Sequence, residues 1–247
     1  MKKAVLITGA GSGIGEASAK LFSQHGYFVF LLGRSGPKLE KVAETLKFGA
    51  MILKCDLADE SAISKAVDNI FQQPHANLEV LVNNAGIFEQ HNFTDGGIEV
   101  WRRQFETNLF GPVSLTQKIF PYFQKQRKGS IVNVSSGLGL RATANTSAYG
   151  ASKAAMISWT RSMALEGGAF NIRANCVCPG LVDTPIHPFH SQIPAEKEAT
   201  LKSMASLQPL GRLGTSEEIA TAIYFLACEE SAWTTGAILS VDGGINL

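Results

Sequence analysis

A glycine-rich loop between a buried strand and a helix constrains this chain more than any other feature. Ala4-Val-Leu-Ile7 is a short apolar run of the kind that forms a covered strand. Thr8-Gly-Ala-Gly-Ser-Gly-Ile-Gly15 follows at once, and Glu16 to His25 reads as an amphipathic helix stopped by Gly26. Tyr27-Phe-Val-Phe-Leu-Leu32 supplies a second apolar run. Strand, glycine loop, helix and strand in that order form the dinucleotide-binding unit. The glycines let the backbone turn tightly beneath a pyrophosphate, and the helix N-terminus offers free N–H groups and a positive dipole end.

The rest of the chain repeats the alternation. Strands are expected near 3–8, 27–32, 50–55, 78–82, 129–135, 171–177 and 237–241. Helices are expected near 14–25, 37–47, 60–73, 97–127 with a break near Pro112, 148–166 and 216–227. Continuous apolar strands such as Leu78-Glu-Val-Leu-Val82 suit a parallel sheet covered on both faces. The prediction is an α/β fold, a single Rossmann-type doubly wound parallel sheet with helices on both faces, occupying 1–247 as one dinucleotide-binding catalytic domain. No linker, repeat or low-complexity segment divides it. Apolar residues make up 45% of the chain, enough for a buried sheet.

Charge narrows the partners. Lys and Arg total 22 against 21 Asp and Glu, a net charge of +1. A nucleic-acid groove would need a basic stripe. No apolar run approaches the roughly 20 residues that span a bilayer. The chain enters a strand at once, which predicts no signal peptide. Cys55, Cys176, Cys178 and Cys228 are scattered without ligand spacing, so buried free thiols, no metal site and a cytoplasmic location are expected.

Tyr149-Gly-Ala-Ser-Lys153 places a phenol and an ammonium on one face of a predicted helix. A nearby positive charge favours the phenolate and lowers the phenol's pKa, and a phenol so tuned can exchange a proton with a carbonyl or alcohol oxygen. The same spacing also occurs on ordinary solvated helix faces.

Taken with Thr8-Gly9-x-x-x-Gly13-x-Gly15, Asn83-Asn-Ala-Gly86, Ser136 and Pro179-Gly180, this pattern resembles the short-chain dehydrogenase/reductase family across nearly the whole chain. The resemblance implies hydride transfer between NAD(P) and a carbonyl or alcohol. It implies a catalytic set of Asn108, Ser136, Tyr149 and Lys153. Tyr149 would be the acid or base, Lys153 would lower its pKa and hold the nicotinamide ribose, and Ser136 would hold the substrate oxygen. Asn108 would bind a water that links the lysine to solvent. Ser135 competes with Ser136, but the family's serine lies thirteen residues before the tyrosine, which selects Ser136. The implied cofactor contacts are Gly9, Ser12, Gly13, Ile14, Gly15, Arg34, Asp56, Leu57, Asn83, Ala85, Gly86, Tyr149, Lys153, Pro179, Gly180, Val182 and Thr184. Asp56 and Asn83 have plainer readings as a helix cap and a turn residue.

The cofactor choice turns on the end of the second strand. An NAD site places a carboxylate there. Here Gly33 occupies that position and Arg34 follows, with no Asp or Glu between Ala17 and Leu39. A guanidinium can grip a 2′-phosphate, so NADP is expected over NAD. Ser12 stands where many NADP-dependent relatives carry a second basic residue.

The region 185–209, with four prolines and a helical-looking stretch from Glu196 to Met204, is expected to close over the substrate as a lid. His187 and His190 within it read more simply as surface residues. The chain looks closest to the 3-oxoacyl-(acyl-carrier-protein) reductases, with NAD-dependent sugar and polyol dehydrogenases nearby. Lys125, Arg127 and Lys128 match one carrier-docking site of that group, but Phe170 stands where an arginine is usual at the other. The lead expectation is therefore a broader carbonyl reductase acting on a small molecule. The resemblance also implies a homotetramer, assembled through the last strand and the helices near 97–127 and 148–166. A non-catalytic NADP-sensing protein on the same fold is the alternative from another class.

Overall fold

The computed structural model describes residues 1–187 and 193–247, without the side chains of 194 and 195. The strands are β1 Lys2–Thr8, β2 Phe28–Gly33, β3 Ala50–Lys54, β4 Ala76–Asn83, β5 Gly129–Val134, β6 Ile172–Pro179 and β7 Ile238–Val241. The helices are α1 Gly13–Gln24, α2 Gly36–Ala43, α3 Glu60–Phe71, α4 Gly97–Phe105, α5 Gly111–Gln126, α6 Ser147–Gly168, α7 Pro194–Ser206 and α8 Ser216–Ala227. All strands pair in parallel, in the order β3-β2-β1-β4-β5-β6-β7. The order reverses direction at β1, between β2 and β4, and there the two halves of the sheet leave a crevice at their carboxyl ends.

Period-two alternation splits the apolar residues of each strand between two cores. Ala4 and Leu6 of β1 face one side, with Phe30, Leu32 and Leu81, against Ile63, Leu115, Ile119 and Phe123 of α3 and α5. Val5 and Ile7 face the other, with Val29 and Leu31, against Phe22, Leu39, Ile219 and Ile223 of α1, α2 and α8. Burial on both faces explains why these strands read as continuous apolar runs.

The long helix expected over 97–127 does break, but ahead of the proline. Glu106–Phe110 forms a π-helical turn between α4 and α5. Pro112 then sits in the first turn of α5, directly after this π-helical turn. The expected helix near 37–47 ends at Ala43. The stretch from Glu196 to Met204 lies inside α7. His190 lies outside the described residues.

Candidate active site

A cavity of about 810 Å³ opens along the carboxyl ends of the strands. The segments just after β1 to β6 all reach its wall, represented by Gly9, Arg34, Asp56, Ala85, Ser136 and Gly180. Of the residues singled out from sequence, Ser12, Gly13, Ile14, Leu57, Gly86, Tyr149, Lys153, Pro179, Val182 and Thr184 also line it. Gly15, Asn83 and Asn108 stand behind the wall.

The glycine loop is shaped by close approach. Gly9 and Gly13 have φ of +66° and +54°, a region that side chains with a Cβ resist. A Cβ on Gly15 would lie 2.2 Å from the Gly9 carbonyl oxygen. Ser12 precedes α1 in extended conformation without a side-chain cap, so the first N–H groups of the helix are left for another acceptor. These features fit a cofactor pyrophosphate. Thr8, not singled out from sequence, holds the loop to the opposite half of the sheet. Its Oγ1 accepts from the N–H groups of Asn84 and Ala85, both at 2.9 Å. Asn84 Nδ2 returns a bond to the Thr8 carbonyl at 2.9 Å.

Asn83 ties strands together beneath the cavity. It is fully buried and does not reach the cavity. Its Nδ2 donates to Thr116 Oγ1 at 3.1 Å and Asn133 Oδ1 at 2.9 Å, and Asn133 donates on to Thr160 Oγ1 at 2.8 Å. This chain ties β4 and β5 to α5 and α6. The next residue, Asn84, is the one on the wall.

Asp56 keeps one carboxylate oxygen on the Ala58 N–H at 3.0 Å and lines the cavity. The capping role considered for it belongs to Asp59, which accepts from Ser61 and Ala62 at the start of α3. Arg34 lines the same end of the cavity. So does Lys38, a second cation that sequence reading passed over. A Cβ on Gly11 would lie 3.1 Å from Lys38 Cβ, so the lysine stands beside the very loop in which Ser12 lacked a charge. The missed signal was its place in the first turn of α2, four residues after Arg34.

Tyr149 and Lys153 occupy adjacent turns of α6 and are buried, not solvated. The helix is pinned beneath them. Ser135 Oγ donates to the Lys153 carbonyl at 2.8 Å, and Ser152 Oγ donates to the Tyr149 carbonyl at 2.7 Å. Ser135 is thereby a helix anchor. Ser136 accepts from the Leu138 N–H at 3.1 Å and neighbours the Tyr149 phenol. Phe88, also unforeseen, packs edge-on against Tyr149 with ring centroids 4.9 Å apart. His187 lines the wall nearby.

Burial pushes the Tyr149 phenol up to about 12, and the Ser136 hydroxyl, which can donate to a phenolate, acts the other way. The lysine was expected to be the lowering influence. Instead Lys153 Nζ donates to the Val134 carbonyl at 2.9 Å and lies 5.8 Å from the centre of the phenol ring. Burial brings Lys153 itself down to about 8.

Asn108 sits in the π-helical turn. Its Nδ2 donates to the Ile87 carbonyl at 3.0 Å and Ser152 Oγ at 3.2 Å, while its Oδ1 accepts from the Ile87 N–H at 2.8 Å. A Cβ on Gly86 would lie 3.2 Å from Asn108 Oδ1 and 3.4 Å from Lys153 Nζ. Gly86 thus packs close to both the amide and the ammonium.

Comparison with known proteins agrees with this geometry. The family model described as enoyl-(acyl carrier protein) reductase matches residues 9–246. The 3-oxoacyl-[acyl-carrier-protein] reductase FabG of Thermotoga maritima is 39% identical, over 98% of this chain and 97% of its own. Among solved structures, ElxO with NADP bound has a TM-score of 0.92 at 32% identity, covering 99% of both chains. A 3-oxoacyl-[acyl-carrier protein] reductase with bound NAD from Brucella melitensis has a TM-score of 0.88 at 30% identity, covering 99% of this chain and 91% of its own. The chain belongs to the short-chain dehydrogenase/reductase family. It is an NAD(P)-dependent oxidoreductase of carbonyls and alcohols. Among the described residues, no helix is long and apolar enough to cross a membrane, and no cluster of His, Cys, Asp or Glu could hold a metal.

Proposed function

We propose that the protein is an NADP(H)-dependent reductase of a small carbonyl compound, with Tyr149 as general acid and base. The observation that carries this reading is convergence. Ser136, Tyr149 and Lys153 meet at one end of a cavity whose other end holds the glycine loop, Arg34 and Lys38. When bound, the nicotinamide cofactor supplies the hydride. Ser136 and Tyr149 hold the substrate oxygen, and the phenol gives it a proton in reduction or takes one in oxidation. Lys153 orients the nicotinamide ribose. Asn108 and Lys153, both close to Gly86, are the polar groups that would hold a water to resupply protons. Val182 and Thr184, after β6, and Asp56 with Leu57, after β3, are the contacts for the carboxamide and adenine ends. Of the expected lid 185–209, residues 188–192 lie outside the described residues, and Pro185, Ile186, His187 and Leu207 line the cavity.

NADP is favoured over NAD because β2 ends in Gly33 rather than a carboxylate, and two cations, Arg34 and Lys38, line that end of the cavity. The test is consumption of NADPH and of NADH against 3-oxoacyl thioesters, ketones, quinones and sugars. NADPH is expected to be preferred, and Arg34→Leu should reduce that preference by about tenfold, the worth of one charged hydrogen bond. Equal use of both cofactors by the unaltered protein overturns the NADP assignment. Turnover confined to NADH and sugars would point to the polyol dehydrogenases instead. NADPH binding without turnover of any carbonyl would favour a sensor.

Carrier-protein docking has weak support. Lys128 is engaged with Glu79 at 2.9 Å, and Arg127 donates to the Ala169 carbonyl at 3.0 Å.

A homotetramer is supported by β7, which forms a sheet edge, and by exposed apolar residues on the expected faces, Phe110 beside α5 and Leu165 on α6. Light scattering on the eluted protein should give the mass of four chains. A single-chain mass overturns the assignment.

A further inference from the structure

We infer that the substrate carries an anionic group remote from its reacting carbonyl, on an otherwise apolar body, and that Arg141 selects it. This rests on the proposed reductase reading and names its substrate class. Arg141 lies in the turn after Ser136, where its N–H donates to the Gly137 carbonyl at 2.9 Å. Its exposed side chain lines the same cavity as Ser136 and Tyr149. Three strand spacings, about 14 Å in all, separate β5 from β2, so Arg141 is far from the cations expected to meet the cofactor.

No carboxylate among the described residues pairs with this guanidinium. Among the described residues its one side-chain bond is a long one, 3.4 Å from Nη1 to the Ile245 carbonyl. That leaves most of its five N–H donors for another acceptor. Asp56, the one carboxylate residue on the described cavity wall, lies after β3 at the opposite end. Apolar residues share the wall with Arg141: Ile245, which its side chain touches, and Leu138, Phe88, Ile186 and Leu207, together with the polar Thr143 and Asn246. A cation beside apolar walls matches an amphiphilic anion. Covering those walls would also exclude water from the charged contact and strengthen it. A guanidinium fork accepts a carboxylate or a phosphate, so the anion is either a carboxylate of the substrate itself or a phosphate on a thioester carrier arm.

Two matched pairs separate these sources. Initial rates with NADPH would be compared for medium-chain oxo acids against their methyl esters, and for 3-oxoacyl-coenzyme A against the N-acetylcysteamine thioester. The unaltered protein should prefer the charged member of one pair by about tenfold in kcat/KM, chiefly through KM. Arg141→Gln should bring that ratio close to one, and Arg141→Lys should restore part of it. The pair that responds names the source. Ratios in Arg141→Gln within twofold of the unaltered protein for both pairs overturn the inference. Calorimetry on the NADPH-loaded protein gives a readout independent of turnover, using hexanoate against hexanamide and phosphopantetheine against pantetheine. If no carbonyl is reduced, the reductase reading fails, yet an Arg141-dependent preference for either anion still supports this site. Absence of any such preference overturns it.

Discussion

Tyr149→Phe should lower kcat by ~10²- to 10⁴-fold while cofactor affinity stays within about twofold, since the substitution removes a proton donor and little else. The ring remains to pack against Phe88. The phenol is buried and held up to about 12, so near neutral pH it is fully protonated. It therefore begins as a donor, which suits reduction of a carbonyl. Ser136 can offset part of the burial effect by donating to the phenolate as the proton leaves. The measurement is single-turnover NADPH oxidation by both proteins, with NADPH affinity followed by fluorescence titration. A loss smaller than tenfold would remove Tyr149 from the chemistry and pass the proton to a solvent-borne donor. An equal loss of cofactor affinity would recast it as a binding residue.

Lys153→Met should also abolish turnover, and it should change how stability depends on pH. Lys153 is buried, and its folded value near 8 lies below the ordinary lysine value of 10.5. The fold therefore disfavours the charged form. Below pH 8 the folded and unfolded chains both carry the proton, and the full cost of burying the charge is present. Between pH 8 and about 10.5 the folded lysine is neutral while the unfolded one still binds its proton, so stability rises with pH across that window. Methionine carries no charge and lacks this rise. Its variant also loses the bond to the Val134 carbonyl, a cost that does not vary with pH. Relative to the variant, the unaltered protein should thus gain about 2–3 kcal/mol between pH 7 and pH 10.5. Tyr149 ionises above this range in the fold and is common to both proteins, so it cancels from the difference. Urea melts at the two pH values give the comparison. A difference that stays constant with pH would show that the fold does not lower the Lys153 value below that of the unfolded chain.

Tyr149 and Lys153 share one helix. α6 is a long element whose first turns carry the phenol and the ammonium, and whose backbone carbonyls are held by Ser135 and Ser152. Asn108 reaches Ser152 from the π-helical turn. That turn explains how an asparagine, poor in an α-helix interior, is accommodated: the widened backbone turns its amide toward Ile87 and Ser152.

Much of this molecule was legible in its sequence, because its strongest signals are local. Alternating apolar residues mark each strand and send its two faces to two cores. Glycines at 9, 13 and 15 report a backbone that must turn and be approached closely. The order of strands and helices fixes a parallel sheet, and its motifs collect at the carboxyl ends. Tertiary structure decided what depends on partners far along the chain. Asn83 and Asn84 are alike as letters, but pleating sends one into the sheet toward Asn133 and leaves the other on the cavity wall. Lys38 becomes a second cation at the glycine loop only because α2 packs against it. The sign of the Tyr149 shift was also a tertiary matter. Spacing placed a lysine nearby, but burial depth and the pull of the Val134 carbonyl determined which influence dominates, and neither is written in the interval between two residues.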